Sequence, residues 1–207
     1  MSKRQIETGV KKRRRIFLGV GIFLVLLILF LLVMGGEKDE KRVPTLCVET
    51  PQKVSLQQGE FSVDVTISSF GDAIYPAASA SIDFDPAYLE FLGVEEGNVF
   101  IRSDGDGVPK NLPDWSCSPE VCNQTGKINV MYLDVTGGKN AFSKELLTEG
   151  ENVVFRLSFR LRGSAGSGDV YHLIVDDAVF AASDETQSLA MTTGTLVVRN
   201  GKIVIGE

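Results

Sequence analysis

Two hydrophobic patterns divide this chain of 207 residues. Residues 16–34 are uncharged and almost wholly apolar, whereas beyond residue 44 apolar and polar positions alternate in short runs. Residues 61–68 show the alternation most clearly, with Gly59 before them and Gly71 after them as turn signals. Alternation with a period of two predicts β-strands that bury one face. The predicted strands cover residues 46–50, 61–68, 75–84, 89–94, 127–135, 152–161, 170–179, 189–198 and 202–205.

The part of the chain beyond the apolar run is therefore expected to be all-β. About nine short strands separated by Gly, Pro and Asp turns indicate a β-sandwich or a barrel. Residues 141–147 predict one or two helical turns at most. Residues 98–125 are rich in Asp, Gly, Pro and Ser, and we interpret them as a long surface excursion.

The apolar run predicts a membrane anchor. Its nineteen residues, at a helical rise of about 1.5 Å each, approach the ~30 Å thickness of a bilayer core. Residues 1–15 hold seven Lys or Arg and one Glu, whereas residues 37–42 hold three charges of each sign. The basic flank should stay in the cytoplasm, which exports everything beyond residue 36. The expected organisation is a basic cytoplasmic tail (1–15), a transmembrane helix (16–36), a charged stalk (37–43) and an extracellular domain (44–207).

A cleaved signal peptide is the alternative reading of this segment. The apolar part of a signal peptide usually has about 7–15 residues and ends at a small-residue cleavage site. This run is longer, and Val33-Met34-Gly35 matches such a site poorly. We therefore expect a single-pass protein of the cell membrane with its C-terminal domain outside.

The charge balance limits the classes of partner that the outer domain is expected to bind. The whole chain carries −6 and residues 1–36 carry +6, which leaves −12 for residues 37–207. A strongly acidic domain argues against binding to nucleic acid or to anionic lipid headgroups. It is compatible with a basic protein partner, with a cation, or with the solubility of an exported domain.

The three cysteines predict one local disulfide. Cys117 and Cys122 lie close together in a turn-rich stretch, and exported domains can hold disulfides. Zinc is the alternative, but a single C-x-x-x-x-C pair is a weak metal signal. Cys47 is expected to be free, with a cross-link between two chains as the alternative.

Signals for catalysis are sparse. The sequence has no nucleophile elbow and no phosphate-binding glycine loop, and its single histidine, His172, alternates with apolar residues as in a strand. Asp104 and Asp106 alternate with glycines and are candidate calcium ligands, although Asp-Gly pairs also form ordinary turns, which we favour. Asn123 opens an N-x-Thr glycosylation sequon. The domain is therefore expected to bind rather than to catalyse, with calcium as its one candidate cofactor.

The most specific motif of the chain lies in residues 79–97. A predicted strand ends at Phe84-Asp85-Pro86, because proline cannot donate to a strand ladder. Asp85 can accept backbone N–H bonds and close the turn. Leu89 then returns to the core at the start of a second strand.

This motif resembles the cohesin domain, in which an aromatic-Asp-Pro strand end leads to Leu and then to a Gly-Val step, here Gly93-Val94. Further stretches are similar to the family in the same order, and together the likeness spans about residues 44–206. These stretches are residues 61–68, 127–138, 177–184 and 201–204.

The resemblance implies a nine-stranded jelly-roll sandwich that binds a dockerin module on one flat sheet face. Strand alternation then predicts that Ala80, Ile82 and Phe84 face the core, together with Met131 and Leu133. Tyr132 would be the main anchor, since aromatic residues often dominate interfaces. The expected partner-binding face consists of Ala77, Ser79, Ser81, Asp83, Val130, Tyr132 and Asp134.

The expected function is therefore a membrane-anchored, non-catalytic module that captures a dockerin-like protein at the cell surface. The family often has Asn or Asp where this chain has Ala77 and Ser79, so the contacts with a partner should differ. Polysaccharide binding by the related carbohydrate-binding fold is an alternative. It ranks second because Trp115 is expected in the long loop and no row of aromatic residues is evident. The third hypothesis is that the domain is a structural subunit of a surface assembly.

Overall fold

Short strands with alternating burial dominate the described part of the chain. A computed structural model describes residues 42–99, 115–147, 150 and 152–207. The helical segments within these residues are α1 (Pro119–Thr125) and the 3-10 turns Lys144–Leu146 and Glu185–Gln187. The strands are β1 (Thr45–Glu49), β2 (Val54–Ser55), β3 (Phe61–Ile67), β4 (Ala77–Asp83), β5 (Leu89–Glu96), β6 (Lys127–Leu133), β7 (Val153–Leu161), β8 (Val170–Ala181), β9 (Leu189–Ala190), β10 (Val197–Arg199) and β11 (Gly201–Gly206).

The predicted basic tail and transmembrane helix lie outside the described residues, as do nearly all of the stalk and the calcium candidates Asp104 and Asp106. Among the residues that the structure describes, no helix is both long enough and apolar enough to cross a bilayer. Val43–Glu207 forms one compact unit.

The strands form two sheets. The first has the order β10-β1-β3-β7-β5, and the second has the order β2-β11-β8-β4-β6, with β9 added beside β8. The terminal pairs β1–β10 and β2–β11 are parallel. The long central pairs, such as β3–β7 and β4–β8, are antiparallel. The all-β sandwich predicted from the sequence is confirmed, with eleven strands in the described residues rather than about nine.

The difference in strand number has two local causes. The two-residue strand β2 is too short to show a period in the sequence. The predicted strand at residues 189–198 is divided into β9 and β10 by a turn. In that turn Gly194 adopts a φ of +73°, and the Thr195 hydroxyl accepts a hydrogen bond of 2.8 Å from the Ala190 N–H.

The turn after β4 forms as the sequence predicts. The Ala87 N–H donates to Asp85 Oδ1 at 3.0 Å, and the Leu89 N–H donates to the Asp85 carbonyl at 3.0 Å. Leu89 is completely buried at the start of β5. The predicted roles of Asp85 and Leu89 are therefore confirmed.

The stretch predicted as a surface excursion contains a helix. The short helix α1 begins after Ser118, has Pro119 in its first turn and ends at Gly126, which has a φ of +71°. The Gly126 carbonyl accepts a hydrogen bond of 2.9 Å from the Phe84 N–H, so the end of the helix closes against the end of β4. Seven residues are too few to display a helical period, which is why the pattern missed the helix.

Trp115 lies in the irregular stretch before α1, as expected, but it is buried and not on the surface. Only 6% of its surface is exposed. Its ring centroid lies 4.7 Å from that of Phe155 on β7 and 5.7 Å from that of Tyr132 on β6. The indole therefore fills the space between the two sheets, where a large aromatic ring buries much apolar area.

Candidate functional site

The candidate site is the outer face of the second sheet, centred on β4. Along this strand Ala78, Ala80 and Ile82 are buried, and the alternating residues are half-buried on the outer side. The structure thus places Ala77, Ser79, Ser81 and Asp83 on the outer side, as the strand parity predicts. We call the following set the β4 face: Ala77, Ser79, Ser81, Asp83, Asn129, Met131, Leu133, Asp176, Asp177, Val179 and Ala181.

The predicted orientation of β6 is wrong. Val130 and Tyr132 are only 1% and 4% exposed, whereas Met131 and Leu133 are 59% and 61% exposed. Both alternating sets include apolar residues toward the end of the strand, Val130 and Tyr132 in one set and Met131 and Leu133 in the other. Lys127 and the exposed Asn129 belong to the same alternating set as Met131 and Leu133. These polar residues indicate that this set faces outward.

Tyr132 is therefore buried and does not lie on the outer face of the sheet as predicted. Its hydroxyl donates a hydrogen bond of 2.9 Å to the Asn140 carbonyl, and its ring makes an edge contact with Phe142 at 5.2 Å. Burial, followed by the nearby charge of Asp134, raises the pKa of Tyr132 to about 12. The residue contributes to the core and to the support of the following turn.

Asp134 is half-buried and closes the turn after β6. Its carboxylate accepts hydrogen bonds from the Thr136 N–H at 2.7 Å and from the Gly138 N–H at 2.6 Å. Burial alone would raise the pKa of Asp134, but the hydrogen bonds from Thr136 and Gly138 hold it below its ordinary value. Because these bonds occupy its oxygens, the structure gives this predicted face residue a role in the turn.

One end of the β4 face is apolar. In the strand register Leu133 lies opposite Ala77, and Met131 lies opposite Ser79. On the other side of β4, Ala181 pairs with Ala77 and Val179 pairs with Ser79. The small side chains of β4 therefore form a shallow floor between larger neighbours, which leaves room for apolar side chains of another molecule.

The other end of the face is polar and acidic. Ser81 Oγ donates to Asn129 Oδ1 at 2.7 Å. Lys127 Nζ lies 2.8 Å from Asp176 and 3.4 Å from Asp83. The hydrogen bond with Asp176 raises the pKa of Lys127, so this cation remains charged at neutral pH. Asp177 lies beside Ser81 in the register and is exposed.

A β-bulge explains why two consecutive carboxylates lie on this face. Ser81 pairs with Asp177, but the next residue, Ile82, pairs with Val175, so β8 contains one extra residue at Asp176. The bulge changes the phase of the strand, and Asp176 and Asp177 are both exposed. The sequence prediction did not include this pair. The sequence did contain a signal for it, because two adjacent aspartates interrupt the alternation of apolar and polar residues in the strand.

Several other predicted candidates have structural roles or no assigned ligand. His172 lies exposed on β8, in a strand as predicted, opposite Lys202 of β11. Within the described ranges, no group of three or more His, Cys, Asp or Glu could hold a metal ion.

Cys47, Cys117 and Cys122 are all thiols in the structure, and the sulfur atoms of Cys117 and Cys122 are 3.5 Å apart.

The side chain of Asn123, which opens the glycosylation sequon, is occupied within the fold. Its amide group donates to the Phe91 carbonyl at 2.7 Å and to the Pro119 carbonyl at 2.9 Å. Its oxygen accepts from the Phe91 N–H at 2.9 Å. These bonds attach α1 to β5, so the folded domain uses Asn123 as a structural residue.

These observations define a class of protein: a two-sheet β-sandwich whose candidate site is an open, shallow sheet face. The Cohesin domain family model matches residues 49–198. The chain therefore belongs to the cohesin domain family, which includes non-catalytic modules that bind dockerin in cellulosomes. None of the curated proteins matches the sequence.

Solved structures of cohesins share the fold. The third ScaC cohesin of Acetivibrio cellulolyticus, solved in complex with the ScaB dockerin, aligns with a TM-score of 0.55 and 16% identity, covering 79% of this chain and 99% of that chain. The OlpA cohesin of Clostridium thermocellum, also solved with a dockerin, gives a TM-score of 0.54 and 16% identity, with 79% and 99% covered. A non-cellulosomal cohesin of the archaeon Archaeoglobus fulgidus gives 0.51 and 15%, with 79% and 91% covered.

Proposed function

We propose that this chain is a membrane-anchored cohesin that captures a dockerin-type protein module at the cell surface, and that the β4 face is the contact surface. The composition of this face carries the proposal. Small side chains lie along β4, two exposed apolar residues lie on β6, and two exposed carboxylates lie on β8. Protein interfaces commonly combine an apolar centre with a polar rim, and this face offers both.

The chemistry of the face indicates what a partner should present. Met131 and Leu133 would contact apolar side chains of the partner. Asp83, Asp176 and Asp177 outnumber Lys127 at the polar end, so that end favours a cationic or hydrogen-bond-donating group. Where the family often has Asn or Asp, this chain has Ala77 and Ser79. The acidic groups of the β8 bulge would then supply the polar recognition one strand further along.

Polysaccharide binding finds less support from the described residues. A sugar platform needs exposed aromatic rings, and none of the large exposed hydrophobic residues in the described ranges is aromatic. Trp115 and Tyr132, the two aromatic residues considered from the sequence, are both buried.

The uninterrupted apolar run at residues 16–34 and the basic residues before it support anchoring and export. Protease treatment of intact cells that express the full chain tests this part of the proposal. An epitope tag at the C-terminus should be removed by external protease, while a tag at the N-terminus should remain protected. Protection of both tags would contradict the proposed orientation.

The binding part is tested by capture with the purified full chain in mild detergent. Extract of the native organism is applied with and without a calcium chelator, and bound proteins are identified by mass spectrometry. Because dockerins carry calcium loops of their own, we expect one or a few proteins that share a paired calcium-loop module and are released by chelation. Retention on insoluble polysaccharide alone would instead favour the hypothesis of a sugar-binding module. Capture of the same chain alone would favour the hypothesis of a structural subunit.

A matched pair of variants then tests the β4 face with the purified partner. Ser79→Arg places a large charged side chain in the apolar end of the face. Ser62→Arg places the same side chain at an exposed position of β3, on the other sheet. We expect Ser79→Arg to weaken binding at least about tenfold and Ser62→Arg to leave it unchanged. Equal affinities for the two variants would assign binding to another surface.

A further inference from the structure

Cys117 and Cys122 are brought together by the start of α1. Their sulfur atoms are 3.5 Å apart, with Cys117 half-buried and Cys122 only 3% exposed. The Cys122 N–H donates to the Ser118 carbonyl at 3.0 Å in the first turn of the helix. This turn places the Cys122 side chain beside the residue that precedes the helix cap.

Both sides of the cysteine pair are attached to the sandwich. Before Cys117, the Ser116 N–H donates to the Met131 carbonyl at 2.8 Å, and the Met131 N–H donates to the Ser116 carbonyl at 3.2 Å. After Cys117, Asn123 attaches α1 to Phe91 of β5. The two sulfur atoms therefore lie together because each is held by its own contacts with the sheets.

Other roles for this pair have less support. A zinc site needs more ligands, and the described residues contain no group of three or more candidate metal ligands. Cys47 lies on β1, in the first sheet, where it pairs with Thr66 and Arg199. The helix α1 packs beside β5, which is separated from β1 by β3 and β7 in the first sheet, and beside β6 of the second sheet. Cys47 is therefore not a member of the Cys117–Cys122 cluster.

We propose that Cys117 and Cys122 form a disulfide that attaches the Ser116–Met131 bridge to α1 and so stabilises the edge of the β4 face. The proposal concerns the thiols and does not depend on the identity of the partner. A small disulfide, such as oxidised glutathione, supplies the oxidising equivalents. The Cys117 thiolate attacks one sulfur of this oxidant and releases one thiolate. Cys122 then loses its proton, attacks the Cys117 sulfur and releases the second thiolate of the oxidant. In total, two protein thiols are oxidised and one small disulfide is reduced to two thiols.

The reaction in the folded protein should accelerate with pH. Burial, and then the hydrogen bond with Cys122, raises the pKa of Cys117 to about 12. Since only the thiolate is nucleophilic, the reactive fraction below this pKa increases about tenfold for each pH unit. We therefore expect oxidation of the folded chain to be slow at neutral pH and about tenfold faster one unit higher.

The test uses the purified full chain in mild detergent, reduced or incubated with oxidised glutathione. Each sample is unfolded and alkylated without reduction, and its mass is measured. Three cysteines are present, so the reduced chain should take up three alkyl groups and the oxidised chain only one, at Cys47. Peptide mapping should locate the link between Cys117 and Cys122. Three alkyl groups after oxidation, or a link that includes Cys47, would overturn the proposal.

Matched variants and hydrogen exchange complete the test. Cys47→Ser should still form the link, whereas Cys117→Ser should not. In the oxidised wild-type chain, the amides of Ser116 and Met131 should exchange more slowly than in the reduced chain, because both donate in the bridge beside the disulfide. The amides of β3, in the other sheet, serve as the internal control. Formation of the link without slower exchange at Ser116 and Met131 would overturn the stabilising role.

Discussion

Met131 and Ser79 are direct partners across the β4–β6 ladder, and both project from the outer side of the sandwich. Met131 is 59% exposed, although it lies in the middle of a strand. A flexible apolar side chain over a small residue can adapt to the shape of a bound surface. This pair is therefore the point of the β4 face at which a change of polarity should matter most.

Met131→Glu is expected to weaken binding of the protein partner at least about tenfold, because it places a charge in the apolar end of the face. Its effect on stability should be small, since the side chain is largely exposed. Val197→Glu, which changes an exposed residue on β10 of the other sheet, is the control. Titration calorimetry measures the affinity, and thermal unfolding confirms that both variants remain folded. Unchanged affinity for Met131→Glu would count against the apolar end as a contact.

Tyr132→Phe is expected to affect stability and leave partner binding unchanged. The substitution removes the hydrogen bond from the hydroxyl to the Asn140 carbonyl while retaining the buried ring. The expected loss is about 1 kcal/mol in the free energy of unfolding. Urea denaturation measures this loss, and the affinity for the partner is determined in parallel. A large loss of affinity with unchanged stability would restore Tyr132 as an interface residue.

Asn123→Ala is expected to destabilise the domain by about 2 kcal/mol, because it leaves the Phe91 N–H and carbonyl without their side-chain partner. Gln124→Ala is the matched control. It lies next in the same helix, is exposed, and has only a long contact of 3.5 Å with Glu120. The free energies of unfolding of the two variants, measured by urea denaturation, should therefore differ by nearly the whole expected loss of about 2 kcal/mol. Similar stabilities would show that the attachment of α1 contributes little.

Asp169 should make stability depend on acidic pH. Hydrogen bonds from the Tyr171 hydroxyl and from the Gly166 N–H hold the pKa of Asp169 below its ordinary value. A carboxylate with a lowered native pKa stabilises the fold above its unfolded-state pKa of about 3.9. That contribution is lost as the pH falls through the lower native pKa.

Asp169→Asn is therefore expected to be less stable than the wild type at neutral pH and to approach it as the pH falls to about 2. Thermal unfolding of both proteins across this range measures the difference. A difference that stayed constant with pH would show that the charge of Asp169 does not contribute.

The sequence predicted β4 and the turn after it because their signals were unambiguous. In β4 each outward position is small or polar, and each inward position from Ala78 to Ile82 is apolar, so only one phase buries the apolar set. The Asp85 turn depends on contacts between residues two to four apart. Such local preferences can be recognised without knowledge of the partner strands.

The phase of β6 is also marked in the sequence, but over fewer residues. Met131 and Leu133 are as apolar as Val130 and Tyr132, but only the set of Met131 and Leu133 includes polar residues, Lys127 and Asn129. Pairing with β4 places Lys127 opposite Asp83 and Asn129 opposite Ser81 on the outer side. The two polar residues at the start of β6 therefore indicate the outward set, and the ladder with β4 agrees with them. The prediction that Tyr132 faces outward disregarded this signal.

Local pattern was thus sufficient for the all-β class, the β4 side of the candidate face and the turn at Asp85, because alternation and turn chemistry act over a few residues. It left the choice between a sandwich and a barrel open. Tertiary structure decided that the strands form two sheets, that Trp115 is buried between them, and that a β8 bulge exposes both Asp176 and Asp177. Each of these features depends on contacts or ladder pairings between segments that are distant in the chain, and the energies of such contacts are defined only once the sheets have assembled.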